Sequence, residues 1–325
     1  VAGRGGIEGG PLRCRACAAV PPPAVGDAPA EAQQGRRRFA EGISLEEARE
    51  AAAVHTLGMA ERIDHEHDLV FLSAGPDALF EVGDRLTRRQ ALVRRDCYGG
   101  LVFSAHSGEL LSRRYHKFYH LGEHGESLPH AVHFGRPHVV LEKLDGTLVA
   151  PLRLPGGAVR LATKAGLATR QARRAQGHFE EHASTYRHLG EHWLDRGCTP
   201  LFEWLDPIYP VTVQYDSAQL VLTSIRSIRT GEYVVFHELV RTARDFGVPC
   251  VGVLADSDCQ AGEAPLADTA TGAVRGSTAR GLMARVEGLR DAEGAVVRFE
   301  DGLMFKLGTE WWRGAFQARQ FRRKG

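Results

Sequence analysis

Four short runs of β-forming residues each enclose isolated charge, and this pattern limits the folds open to the 325-residue chain. HVVLEK brings Lys143 to the end of a strand. LFEWL sets Glu203 between Phe202 and Trp204. AEGAVVRF puts Glu293 and Gly294 at a strand entrance, and LMFKL places Lys306 on the same strand face as Met304. A charge inside an apolar strand is costly to bury unless it meets a partner or a ligand. Any one of these strands also reads as an edge strand with its charge in water. Four of them in one chain favour partners or a ligand.

The remaining elements are interspersed around these runs. LVFLSA, GLVFSA, TLVAPLRL, PVTVQY and LVLTSI are further short strands bounded by Gly, Pro or Asp. Asp145-Gly146 is a hairpin signal after Lys143, and Glu300-Asp301-Gly302 is a second one joining the last two strands. A helix is expected from Ile43, with Ser44 as N-cap and Glu47 three residues on. One long helix is expected over residues 168–195, with others over 232–246 and 274–290. Strands and helices do not alternate as βαβ units, so the fold class is α+β, with antiparallel sheets flanked by helices. Residues 1–42, rich in Gly, Pro, Ala and Arg, read as a poorly ordered amino-terminal arm. Residues 43–90 form a helical and strand extension, and residues 91–325 the main domain.

Lys+Arg 41 against Asp+Glu 40 leaves a net charge of +1, which excludes a polyanion binder that works through sheer excess of cations. No stretch approaches the ~20 apolar residues of a membrane span. The start lacks the basic-then-apolar run of a secretory signal. Of the six cysteines only Cys14 and Cys17 are close, with no second ligand pair for zinc, so the thiols fit a reducing cytoplasm. His178, His182, His188 and His192 fall on a polar face of the expected long helix, and His130 and His133 carry ligand-like spacing without further partners. The run RLTRRQALVRR (85–95) reads either as a track for a phosphate backbone or as a solvated surface, and the terminal RRKG as a tail.

The order of motifs is itself informative. Lys143-x-Asp145-Gly146-Thr147, a strand glutamate, Glu293-Gly294, then Lys306 followed by the pair Trp311-Trp312 resembles motifs I, III, IV and V of the covalent nucleotidyltransferases. These comprise the ATP-dependent ligases and capping enzymes. More narrowly, the chain resembles the T-even phage RNA ligase 1 type. RRYHKFYHLGE (113–123) matches R-x-x-x-K-F-F-N-x-x-E, TKAG matches K-G-S, FEWLDP matches F-E-F-x-x-P, and Thr230-Gly231-Glu232-Tyr233 matches T-G-E-Y. The likeness covers residues 90–313.

This resemblance implies an ATP-grasp-like nucleotidyltransferase domain over residues 91–325. It further implies an ATP-dependent RNA ligase that joins RNA 5′-phosphate and 3′-hydroxyl ends through a lysyl-AMP intermediate in RNA repair. The implied partners are RNA ends, tRNA among them, with no membrane and no protein partner, and the implied cofactors are ATP and Mg²⁺. A free lysine amine, with a pKa of ~10.4, is mostly protonated at neutral pH, so such chemistry needs nearby cations or a metal to favour the neutral nucleophile. By resemblance Lys143 is the nucleophile, Lys306 contacts the α-phosphate, Glu203 the ribose, and Glu293 the Mg²⁺. Lys117 contacts phosphates, Tyr119 stacks on or packs beside adenine, Gly146 gives the backbone room, and Lys164 is an additional phosphate-site lysine. Gly294 and Trp312 complete the nucleotide site. Three family cations are replaced: the arginine of R-G-[ILV]-x-F by Gly99, an arginine after motif III by Pro210, and the second lysine of K-x-K by Gly308. These departures leave two alternatives, a degenerate ligase that binds RNA or nucleotide without sealing, and a nucleotidyltransferase acting on DNA nicks or RNA caps.

Overall fold

In the computed structural model the described residues are 38–53, 59–75, 86–254, 267–268, 273–274 and 279–324. The arm expected over residues 1–42 therefore lies outside them up to residue 37, together with Cys14, Cys17, Arg85 and Cys259.

Ser44 caps the first helix, its hydroxyl accepting from the Glu47 amide at 3.1 Å, and α1 runs over Leu45–Ala53. The helix-forming run does not continue: MAERID is strand β1 (Met59–Asp64), paired antiparallel with β2 (Leu69–Ala74). The arginine-rich run is helix α2 (Arg88–Gly99), started by a capping box in which Thr87 and Gln90 satisfy each other's backbone amides. Its arginines divide: Arg88 and Arg89 are exposed, whereas Arg94 and Arg95 turn inward. Arg94 is buried and donates to the Ala51 carbonyl at 3.0 Å, Arg89 pairs with Glu47, and Arg95 pairs with Glu126 at 2.7 Å. With β3 (Leu101–Ser104) and β4 (Leu110–Arg113) the first sheet is complete, in the order β1-β2-β3-β4, taking strands from both sides of residue 90.

The following elements are β5 (Tyr119–His120), β6 (His138–Lys143), β7 (Thr147–Arg153), β8 (Val159–Ala162), α3 (Arg170–Glu181), α4 (Ala183–Leu194), β9 (Cys198–Leu205), β10 (Gln219–Ser227) and α5 (Phe236–Phe246). After these come the short pair β11 (Ala267–Asp268) and β12 (Ala273–Val274), α6 (Ala279–Glu287), β13 (Gly294–Phe299), β14 (Met304–Gly308) and α7 (Glu310–Lys324). A second sheet, β10-β9-β7-β8, is antiparallel throughout and shares a core of Phe179, Leu189, Phe202, Leu220, Leu222 and Leu239 with helices α3 to α5. A third, β5-β14-β13-β6, is antiparallel except for β5, and buries Val140, Val297, Phe299 and Phe305 with Leu282 and Val286 of α6.

Several expectations change. Asp145-Gly146 is not a hairpin turn: β6 pairs with β13 and β7 pairs with β8 and β9, so the segment crosses from the third sheet to the second. The long helix divides at His182, where the backbone leaves the helical region (φ −111°, ψ 40°), and His178 lies half-buried with its ring 5.5 Å from Trp204 rather than on a solvated face. PVTVQY is not a strand, because the amides of Thr212 and Val213 are given to the Asp145 carboxylate, each at 2.5 Å. The helix expected from 232 begins at Phe236, since Tyr233 bridges Arg226 and the Val234 amide donates to Ile225 at 2.9 Å. The RRKG terminus continues α7 to Lys324 instead of forming a tail. Among the described residues no helix is long and apolar enough to cross a membrane.

A buried ion group ties the first sheet to the second. Asp96 of α2 meets Arg113 at the end of β4 at 2.5 Å and Arg226 of β10 at 2.6 Å, all three fully buried. Arg113 also donates to the Ala40 carbonyl at 2.8 Å, and Arg226 to that of Gly231, also at 2.8 Å. This gives the T-G-E-Y sequence its purpose. Gly231 is left-handed (φ +78°), and the guanidinium of Arg113 occupies the space a Cβ would need. Two residues on, the Tyr233 ring lies 4.9 Å from the guanidinium of Arg226, and its hydroxyl accepts from the His116 amide at 3.1 Å. Asp96→Asn strands two buried cations, so we expect a loss of about 3–5 kcal/mol in unfolding free energy, read from urea denaturation. An unchanged midpoint would remove this group from the interactions holding the sheets together.

Candidate active site

The crossing from β6 to β7 sets the geometry. Lys143 ends β6 opposite Gly294 of β13, and Gly294 in turn faces Gly308 of β14. A Cβ at Gly294 (φ +155°) would enter the Leu307 carbonyl, so only glycine lets these three strands close up. The preceding residue, Glu293, contacts the Lys143 ammonium through Oε1, with both side chains mostly buried. Lys306 projects from β14, one strand beyond β13, and its ammonium lies 4.7 Å from the Phe118 ring.

Gly146 and Glu203 face this group from the second sheet. A Cβ at Gly146 would strike the Trp204 carbonyl and lie 3.0 Å from Glu203 Cγ, so the backbone comes as close to β9 as a chain can. The Gly146 amide donates to the Glu203 carboxylate. Asp145, itself buried, fixes the crossing: besides the two loop amides it accepts from the Trp312 indole N–H at 2.9 Å, and its own amide donates to the Tyr215 hydroxyl at 3.0 Å. Trp312, stacked on Phe316 at 4.7 Å, thus joins α7 to the lysine segment.

The site is electrostatically tense. Burial pushes the Glu203 carboxyl up to about 8, with Glu293 and Asp145 adding to the rise against the pull of Lys143. Burial also raises Glu293, opposed by Lys143. Lys306 falls to about 8, chiefly through burial and then through Lys143 and Lys117, with Glu123 and Glu293 opposing. Burial, then Lys306, Lys143 and Lys117 hold the His120 imidazole down at about 4, with Glu123 opposing. Lys117 lies 4.5 Å from the Tyr98 ring and 5.1 Å from that of Tyr119. Lys143, Lys306, Glu293, Glu203, Gly146, Gly294 and Lys117 are therefore brought together, with Trp312 behind them.

Two predicted residues sit differently. Tyr119 is buried and stacks on His124 at 4.2 Å, with Arg95 6.0 Å from its ring. Lys164 donates to the Ala74 carbonyl at 3.0 Å, beside the first sheet, and burial alone lowers its pKa. Of the three replaced cations, Gly99 has no room for any side chain, since a Cβ would run into the Tyr115 carbonyl. Arg95 stands nearby, holding the Lys117 carbonyl at 3.0 Å. Tyr209, next to Pro210, has the guanidinium of Arg170 at 4.5 Å from its ring. Sequence reading missed His120, Glu123 and Tyr215. Tyr215 could have been found only by knowing that its loop returns to Asp145, whereas His120 and Glu123 lie inside a motif already singled out.

The residues fit phosphates and a divalent ion. The glycine at 146 serves close packing against β9, the three lysines suit phosphates, and the Glu293 carboxylate is a hard oxygen ligand suited to Mg²⁺. The raised Glu203 also sets a pH dependence. Between its ordinary 4.5 and about 8 the folded chain holds a proton that the unfolded chain has lost. Its contribution to stability is full below that range and is lost as pH rises through it. The stability advantage of wild type over Glu203→Gln should therefore shrink from near pH 5 to near pH 8 in urea denaturation. A constant difference would contradict the raised carboxyl.

Comparison with known proteins bears on the family and the fold. A family model described as RNA ligase matches residues 98–312, more than half of the chain. RNA ligase 1 of Bacteriophage TS2126 is 34% identical over 149 residues, 42% of this chain and 35% of that protein. A Thermovibrio ammonificans relative that also carries an RNA ligase name is 33% identical over 136 residues, with the same coverage. The chain thus spans about a third of the length of the curated relatives it matches. Among solved structures, an archaeal ATP-dependent RNA ligase superposes with a TM-score of 0.53 at 16% identity, covering 91% of this chain and 68% of that one, a likeness of fold.

Proposed function

The chain belongs to the RNA ligase family, and on that premise we propose that it is an ATP-dependent RNA ligase joining 5′-phosphate and 3′-hydroxyl RNA ends, tRNA breaks among them, in the cytoplasm. The observation that carries the proposal is the convergence of Lys143, Glu293, Lys306 and Glu203 at the crossing between two sheets. Residue usage supports it. The chain has five lysines, at 117, 143, 164, 306 and 324, and every other Lys/Arg cation is arginine. A guanidinium stays protonated and cannot act as an amine nucleophile, whereas a lysine can. The three free cysteines among the described residues, Cys97, Cys198 and Cys250, suit a reducing compartment.

In the proposed reaction Lys143 Nζ, once neutral, attacks the α-phosphorus of ATP. An N–P bond forms, the bond to the bridging oxygen breaks, pyrophosphate leaves, and the amine proton is released. Glu293 Oε1 keeps the amine aimed at the cleft. Lys306 and Lys117 stabilise charge developing on the phosphate oxygens. Glu203, held by the Gly146 amide, offers its carboxyl to a ribose hydroxyl. Glu293 would also hold Mg²⁺, which supplies further positive charge to the phosphates. The adenylate then passes to an RNA 5′-phosphate, and a 3′-hydroxyl displaces AMP.

Incubation with α-labelled ATP and Mg²⁺ should leave label covalently on the protein, and Lys143→Ala should abolish it. Absence of label on wild type, or label surviving that substitution, would overturn the assignment. The closed-off Gly99 favours a second reading, in which the chain binds RNA or nucleotide without sealing. Label without joining of a 5′-phosphorylated RNA would support that reading, and preference for GTP or for DNA nicks would move the substrate instead.

A further inference from the structure

We propose that His120 is a phosphate-contacting residue of this site and fills the place that a side chain at position 308 would otherwise take. The inference rests on the ATP-using function proposed above.

The geometry is specific. β5 lies parallel to β14 with His120 paired to Lys306, and the Leu121 amide donates to the Lys306 carbonyl at 2.9 Å. The turn behind it is fixed, because the His120 amide donates to Glu123 Oε2 at 2.7 Å. The residue reaches solvent while part of its imidazole is packed in. On β14, Lys306 and Gly308 share a face, since they are two residues apart. A Cβ built on Gly308 would meet a single atom within 4 Å, Cε1 of His120 at 3.8 Å. Position 308 therefore has room for a side chain, and the histidine borders that room. The sequence shows the matching exchange: this chain has glycine where the K-x-K pattern has its second lysine, and histidine where K-F-F-N has asparagine. The two altered positions adjoin in space.

The charges around His120 explain why a histidine works there. Lys306 faces it from β14, Lys143 from β6 and Lys117 from the segment entering β5, against the single acid Glu123 of the following turn. Burial and three ammonium groups hold the imidazole at about 4, so it is neutral at pH 7. A neutral imidazole keeps one N–H donor. It can hydrogen-bond a phosphate oxygen without adding a fourth cation to a cluster in which Lys306 is already lowered. A lysine at 308 would add that charge.

A double-substitution cycle tests this, with the initial rate of labelled lysyl-AMP formation at subsaturating ATP as readout. His120→Ala should slow the rate about tenfold, the equivalent of one hydrogen bond to a charged group. Gly308→Lys in that background should restore it to within about threefold of wild type, while Gly308→Lys with His120 present should change it less than about twofold. His120→Asn, which keeps an N–H donor, should recover part of the rate lost in His120→Ala. Should thermal unfolding show that His120→Ala does not fold, His120→Leu with and without Gly308→Lys makes the same comparison. Wild-type rates in His120→Ala, or an equal effect of Gly308→Lys with and without the histidine, would overturn the inference. Either result with normal labelling of wild type leaves the ligase assignment standing, whereas unlabelled wild type defeats that assignment first.

Discussion

One buried carboxylate makes the site possible. Asp145 accepts two loop amides and an indole N–H while its own amide is held by Tyr215. A hydrogen bond to a charged group contributes about 1.5–3 kcal/mol, and an unmade one inside a protein costs a comparable amount. The segment between β6 and β7 therefore cannot fold back as a hairpin without leaving Asp145 unsatisfied. Because it crosses instead, Lys143 at the edge of one sheet and Glu203 within its neighbour border the same space. The loop after β9 and helix α7 are fastened to that crossing by the same side chain.

The molecule divides its cations by chemistry. Arginine builds the frame: Arg94, Arg113, Arg114 and Arg226 are fully buried and their guanidinium groups engage backbone carbonyls or Asp96. A planar fork with five donors suits such multiple contacts. Three of the five lysines, at 117, 143 and 306, gather at the cleft, where a compact ammonium is useful. The net charge of +1 thus conceals a local concentration of positive charge around Lys117, Lys143 and Lys306.

The strands that carry the site were legible in the sequence because a lone charge in a period-2 apolar run stands out locally, as at Glu203 and Lys306. The family resemblance then ordered them. What was not legible depends on distant partners. A turn signal such as Asp145-Gly146 cannot say whether the strands on either side pair with each other; that is settled by Thr212, Val213 and Trp312. Gly231 looks like any turn glycine until the guanidinium of Arg113, far away in sequence, is found against it. Helix α2 was obscured by its arginines, although the Thr87 and Gln90 capping signal was present. Arg94 and Arg95 resemble surface cations in sequence because burial compensated by carbonyl groups leaves no local trace.

The gathering of lysines also makes the protein chemically addressable. Guanidinium groups do not react with amine-directed acylating reagents at ordinary pH, and this chain carries few amines to compete. Among them Lys306 stands out, since burial and its lysine neighbours bring it to about 8, where about a tenth is free base at pH 7, far more than for an ordinary lysine. Amine modification mapped along the chain becomes a direct footprint of the cleft, in which protection by a bound nucleotide is read at a handful of positions against an almost silent background.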